Sequence, residues 1–238
     1  MDHISDVNLP YTEHARRYLI AEGIRKEYIF VTGSPMAEII AANHAKIEHS
    51  SVLDTMELKP REYILLSAHR EENIDNERTF ASLMSAVNSL AEHYKMPVIY
   101  SMHPRSAKYI KEREFKFHEL VKENPPFSFT DYSKLMQNAY CVVSDSGTLP
   151  EEAAICGFPA VSIRTSTERP EALDKGAFII GGINDNTVLQ SVQMAVKMRE
   201  SGEKPAVVPD YDGINVSAKV IRLIQSYTEI VNEKIWRK

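Results

Sequence analysis

The residues best suited to chemistry cluster between Cys141 and Pro170, reading CVVSDSGTLPEEAAICGFPAVSIRTSTERP. A short apolar run, Cys141-Val142-Val143, suits a buried strand, and Ser144-Asp145-Ser146-Gly147-Thr148 suits a loop. Thr148 stands three residues before Glu151, the spacing of a capping box, with Pro150 in the first turn of the expected helix. The helix should stop at Gly157, with Pro159 beyond. A second run, Ala160 to Ile163, leads to Arg164 and Arg169. Such a unit can hold an anion, because N–H groups at a helix N-terminus add to the positive end of the macrodipole. Ser146, Gly147 and Thr148 are small enough for a phosphate to approach the backbone. Glu152, in the first helical turn, could accept hydrogen bonds from a ribose diol, and Arg164 and Arg169 could pair bidentately with phosphate oxygens. The same pattern describes an ordinary strand–helix–strand unit with a good cap and two solvated arginines, so these residues alone leave both readings open.

Two more groups follow apolar runs. His69-Arg70 comes after Tyr63-Ile64-Leu65-Leu66, and His103-Pro104-Arg105 comes after Val98-Ile99-Tyr100. His69 has the chemistry of a general acid or base, or of a donor to a diphosphate, and equally that of a cap. The chain lacks G-x-G-x-x-G after a strand, a Walker sequence and H-E-x-x-H, and no metal or cofactor is expected.

These groups need elements to place them. Strands are expected at Tyr63–Leu66, Val98–Tyr100, Cys141–Val143, Ala160–Ile163 and Ala177–Ile180. Helices are expected at about 77–93, 186–199 and 216–234, and the region Phe127–Phe129 leads into a further helix through Met136. Upstream, short strands at Val7–Pro10 and Tyr28–Val31 alternate with helices from Thr12 to Gly23 and from Met36 to His49. This alternation predicts an α/β fold with a doubly wound parallel sheet. In such sheets ligands sit beyond the carboxyl ends of the strands, where all the candidates fall.

The bulk properties exclude several classes. The 238 residues suit one large domain or two small ones, and a formal charge of −5 argues against a nucleic-acid partner. Cys141 and Cys156 lie in apolar surroundings and read as reduced thiols. No apolar run approaches the ~20 residues of a membrane span, and the N-terminus lacks a signal-peptide pattern, so the expected location is cytoplasmic with no membrane partner.

Asp145-Ser146-Gly147, Glu151-Glu152-Ala153 and Thr167-Glu168-Arg169-Pro170-Glu171 together resemble the signature of the non-hydrolysing UDP-N-acetylglucosamine 2-epimerases. Ser67-Ala68-His69-Arg70-Glu71-Glu72-Asn73 resembles that family's central His-Arg motif. The resemblance implies two Rossmann-like domains of glycosyltransferase-B type. It assigns 1–50 to the end of a truncated first domain, 51–215 to a UDP-binding domain, and 216–238 to a C-terminal helix. It implies a catalytic role for His69, diphosphate contacts in the loop Asp145, Ser146, Gly147 and Thr148, a ribose contact for Glu152 and a substrate contact for Arg169. Thr148 departs from the commoner second glycine, and a positive φ there would be costly for threonine. Arg70 and His103 resemble positions that, in some members, bind a second substrate molecule as an activator, although Pro104-Arg105 replaces the usual Asn-Pro.

The implied activity is UDP-N-acetylglucosamine 2-epimerisation by elimination and readdition of UDP, for surface polysaccharide precursors. The implied partner is a UDP-sugar, and a homodimer is the common arrangement in the family. Because the family's carboxylates at C2 lie in the first domain, mostly upstream of Met1 here, the chain alone is expected to recognise UDP with little turnover. The alternatives are a 2-epimerase of a related UDP-N-acetyl-6-deoxyhexosamine, a glycosyltransferase-B transferase, or a non-catalytic fragment.

Overall fold

The computed structural model describes every residue, Met1–Lys238. In chain order the elements are α1 (Glu13–Ala21), α2 (Met36–Glu48), α3 (Val52–Thr55), β1 (Ile64–Ser67), α4 (Glu71–Ile74), α5 (Glu77–Tyr94), β2 (Val98–Ser101) and α6 (Pro104–Glu112). They continue as β3 (Val121–Asn124), α7 (Phe129–Asn138), β4 (Cys141–Ser144), α8 (Leu149–Cys156), β5 (Ala160–Ser162), α9 (Pro170–Asp174), β6 (Ile179–Ile180), α10 (Asp185–Glu200) and α11 (Val216–Lys234). No helix is long and apolar enough to cross a membrane.

The chain divides into two compact units, His44–Ala206 and the combination of Met1–Asn43 with Val207–Lys238. The larger unit holds a six-stranded parallel sheet in the order β3-β2-β1-β4-β5-β6. This is a doubly wound, Rossmann-like order, and strand succession reverses between β1 and β4. The inner strands β1, β2 and β4 are almost wholly buried, which explains why they read as continuous apolar runs rather than alternating ones. Ile64, Leu66, Val98, Tyr100 and Val143 pack with Leu83, Val87 and Leu90 of α5 and Val188 and Val192 of α10. The intervening residues Leu65 and Val142 are equally buried and, by the two-residue period, serve the opposite face. The Tyr63 hydroxyl there donates to Leu135 O of α7 at 2.6 Å.

Local signals set the helix ends. Asn76 accepts from the amides of Arg78 and Thr79 to start α5, and Gly157 ends α8 in the left-handed region with φ 70°. Gly181, after β6, is a glycine for a packing reason. An added Cβ would stand 2.7 Å from Val161 Cγ1 and 3.2 Å from Ser191 Oγ. Gly181→Ala is therefore expected to cost about 2 kcal/mol through overpacking, measured as a lower denaturation midpoint with an unchanged slope.

A strand that was not expected, β3, lies at Val121–Asn124, and the expected helix through Met136 starts just beyond it, where Ser128 accepts from the Asp131 amide at 3.2 Å. In the smaller unit, the segments expected as strands run side by side with one isolated parallel bridge, Asn8 with Ile29, and backbone bonds from Asn8 N to Tyr28 O at 2.8 Å, Phe30 N to Asn8 O at 3.0 Å and Thr32 N to Pro10 O at 3.1 Å, but form no regular strand. Side-chain contacts within the unit add to these. Asp210 accepts from the Glu13 amide at 3.1 Å, Lys219 Nζ donates to Thr32 O at 3.0 Å, and the rings of Phe30 and Tyr227 meet at 4.6 Å.

Candidate functional site

β1 and β4 pair in register from Ile64 with Cys141 to Ser67 with Ser144. Their carboxyl ends therefore deliver His69-Arg70 and Asp145–Thr148 side by side at the point where strand order reverses. The junction is Asp145. Its carboxylate is fully buried and accepts from the His69 amide at 2.9 Å, the Arg70 amide at 2.9 Å and Asn73 Nδ2 at 3.1 Å. Asn73 Nδ2 also donates to Ile163 O at 3.1 Å, which ties in the end of β5. Burying a carboxylate is tolerated only when such donors replace water. The expectation that Asp145 contacts substrate is thus corrected: its acceptor capacity is spent inside the protein, and it positions the loops around it.

His69 rests on this anchor with Nδ1 3.4 Å from Asp145 Oδ1 and its side chain 42% exposed. One ring nitrogen faces the buried carboxylate and leaves the other toward the open side, which suits proton transfer or donation to a bound oxyanion. The His103 ring lies 5.7 Å away, centroid to centroid. His103 is exposed and starts α6, where Nδ1 accepts from the Arg105 amide at 3.2 Å. Arg105 is turned away to Glu71 and Asp75, at 2.5 Å each.

The loop before α8 is ordered by its own hydroxyls. Ser144 Oγ accepts from the Ser146 amide at 3.0 Å, Ser146 Oγ accepts from the Thr148 amide at 3.3 Å, and the hydroxyls of Ser146 and Thr148 lie 3.0 Å apart. The expected capping box does not form, since Thr148 makes no side-chain cap bond and Glu151 is engaged by Arg169 Nε at 2.7 Å. Thr148 has φ −89°, so its side chain is accommodated without strain. Gly147 has a different constraint from the one its loop position suggests. An added Cβ would lie 3.2 Å from Arg70 Nη2, so the missing side chain makes room for a guanidinium.

Glu152 lies one turn into α8 and is 7% exposed. Burial pushes its carboxyl up to about 7, the neighbouring Glu151 adds to the rise, and a hydrogen bond from the Thr148 hydroxyl opposes it. Tyr132, on α7, was not among the candidate residues. In the structure the Tyr132 phenol is raised by burial and by Glu152, while the Ser67 and Ser144 hydroxyls pull it down.

The two arginines after β5 part company. Arg164 is 4% exposed and pairs bidentately with Glu168 at 2.5 and 2.6 Å, with Nε 3.3 Å from Glu72, so it is unsuited to the phosphate role considered for it. Arg169 remains at the site edge, bonded to Glu151 and, through Nη1, to Glu168 O at 3.2 Å. Arg70 replaces Arg164 as the second guanidinium at the loop. Its Nε donates to Asp145 O at 2.9 Å. No group of three or more His, Cys, Asp or Glu side chains is placed to hold a metal ion.

The family model described as UDP-N-acetylglucosamine 2-epimerase matches residues 1–225. The UDP-N-acetylglucosamine 2-epimerase of Methanocaldococcus jannaschii is 30% identical over 211 residues, covering 86% of this chain and 58% of that protein. Among solved structures, the UDP-N-acetylglucosamine 2-epimerase from Rickettsia bellii superposes with a TM-score of 0.88 at 40% identity, covering all of this chain and 64% of that one. The M. jannaschii enzyme, solved in complex with UDP-GlcNAc and UDP, superposes with a TM-score of 0.85 at 28% identity over 94% of this chain and 62% of that one. The chain thus spans about three-fifths of the length of the relatives it matches. With that match over nearly the whole chain, a doubly wound parallel sheet and the two signature loops at its switch point, this chain belongs to the UDP-N-acetylglucosamine 2-epimerase family.

Proposed function

We propose that the larger unit binds the UDP moiety of a UDP-N-acetylhexosamine, and that the enzyme to which this sequence belongs interconverts UDP-N-acetylglucosamine and its 2-epimer. The observation that carries this reading is the convergence of His69, Arg70, the Ser146–Thr148 loop, Glu152 and Arg169 at one end of the sheet. In this reading Glu152 accepts from the ribose hydroxyls. The amides at the start of α8, with the hydroxyls of Ser146 and Thr148, receive the diphosphate. Arg169 and Arg70 supply cationic donors from either side. Departure of UDP from C1, with transfer of the C2 proton to a general base, would leave a glycal; return of UDP to C1 with delivery of a proton to the opposite face of C2 would give the epimer. Negative charge grows on the leaving diphosphate in that step, and preorganised donors stabilise it most when water is excluded. His69 faces the same region and would donate to the departing oxyanion. His103, with its ring beside His69, would serve a further contact to substrate.

A bound carboxylate at Glu152 requires deprotonation. UDP affinity is therefore expected to rise as pH increases from about 6 to 8 and to level off above the Glu152 value of about 7. Glu152→Gln should flatten that profile, which titration calorimetry at several pH values would record. A profile unchanged by the substitution would remove Glu152 from the site.

A further inference from the structure

Arg70 and Arg164 share one acid, Glu168, but unequally. Arg164 takes both Glu168 oxygens, Nη1 to Oε2 at 2.5 Å and Nη2 to Oε1 at 2.6 Å. Arg70 Nη1 stands 3.5 Å from Oε1, beyond a normal hydrogen bond. The difference follows from burial. Arg164 is almost inaccessible, and a buried guanidinium with its fork facing a carboxylate claims it bidentately. Arg70 is left with one firm bond, from Nε to the Asp145 carbonyl at 2.9 Å. Its Nη2 lies by Gly147, just before α8, 3.2 Å from where a Cβ would stand, at the loop assigned above to the diphosphate. Glu168 itself stays a carboxylate through the physiological range, held down to about 2 chiefly by its bonds from Arg164. Without Arg164, that charged acid would lie within reach of Arg70 with both oxygens unclaimed.

We propose that Arg164 is a positioning residue for Arg70: by occupying both oxygens of Glu168 it stops that acid from capturing the Arg70 guanidinium, which stays available to the phosphates of the ligand. This deepens the nucleotide-site reading and rests on it. The arrangement is a relay of one anion between two cations, with the buried member always satisfied first. It also gives the loop between β5 and α9 a role at the site, although its own arginine at 164 touches no ligand.

The test is titration calorimetry of the full chain with UDP. Arg164→Met should weaken binding about tenfold, the scale of one charge-assisted bond. Adding Glu168→Gln to Arg164→Met should restore affinity to within about twofold of wild type, because the competing acid is gone. In an Arg70→Gln background, Arg164→Met should bring no further loss. If Arg164→Met does not fold, Arg164→Lys, which keeps charge but loses the fork, should give the same pattern at smaller amplitude. The inference is overturned if the folded variant binds UDP as wild type does, if Glu168→Gln fails to rescue, or if the loss persists unchanged without Arg70. A wild-type chain that does not bind UDP at all would overturn the nucleotide site as well as this relay, so the two failures are told apart.

Discussion

Asp145→Ala is expected to destabilise the larger unit by about 3 kcal/mol or more and to abolish nucleotide binding in whatever fraction still folds. The magnitude comes from the partners left behind. Three donors, the amides of His69 and Arg70 and the Asn73 carboxamide, would lose their acceptor at a site where the carboxylate itself is fully buried. Each orphaned buried donor costs about 1–3 kcal/mol, and the larger values apply where the lost partner was charged. Asp145→Asn separates folding from function. It keeps the shape and one acceptor oxygen but presents an amino group to one of the same donors. It should fold with a lower midpoint in urea and bind UDP at least about tenfold more weakly, because the His69-Arg70 loop loses its anchor. Wild-type affinity in a folded Asp145→Asn chain would mean the carboxylate does not organise the site.

Glu152→Gln is expected to move stability and binding in opposite directions. A carboxyl whose folded pKa lies above its unfolded value favours the folded state while protonated. Its stabilisation is complete below about pH 4 and is lost as pH rises through about 7. At pH 8 the wild-type chain carries a buried carboxylate that the unfolded chain would hydrate freely, a penalty of about 3 kcal/mol at 1.4 kcal/mol per pH unit. Glutamine removes that penalty. The variant should therefore be more stable than wild type at pH 8 by up to about 3 kcal/mol and nearly equal to it at pH 4. Its affinity for UDP at pH 8 should nevertheless fall about tenfold, since a carboxamide accepts less strongly from a diol than a carboxylate does. Chemical denaturation at both pH values, paired with calorimetry, reads both effects. A residue this buried and this unfavourable when ionised is a strained feature of the kind that function retains against stability.

How far the sequence foretold this can be followed residue by residue. Ile64, Leu65, Leu66, Cys141, Val142 and Val143 are buried on both sheet faces, so their runs were unbroken and their strands legible. The glycine at 157 marked a helix end because its conformation is local. Candidate residues could be gathered into one site because strand ends in a parallel sheet all point the same way. β3 was illegible because it is an edge strand with one well-buried apolar residue, Val121, beside the exposed Lys122 and Glu123, so neither period nor burial marks it. Partner choice was hidden for a different reason. Arg164 meets Glu72 across 92 residues of chain, and Arg70 reaches from the loop after β1 to Gly147 in the loop after β4, so only the Arg164–Glu168 pair, four residues apart, was local. Asp145 looked like a loop carboxylate facing outward, and only the register of β1 with β4 turns it beneath the His69 amide.

The central claim, that these strand ends form one nucleotide site, is tested most directly by titration calorimetry with UDP. The wild-type chain is compared with Glu152→Ala and Arg169→Ala, each first shown to be folded by its circular dichroism and Tm. The account predicts one UDP bound per wild-type chain and at least about tenfold weaker binding in each variant. Folded wild-type protein that takes up no UDP, or variants that bind as tightly as it does, would contradict the account.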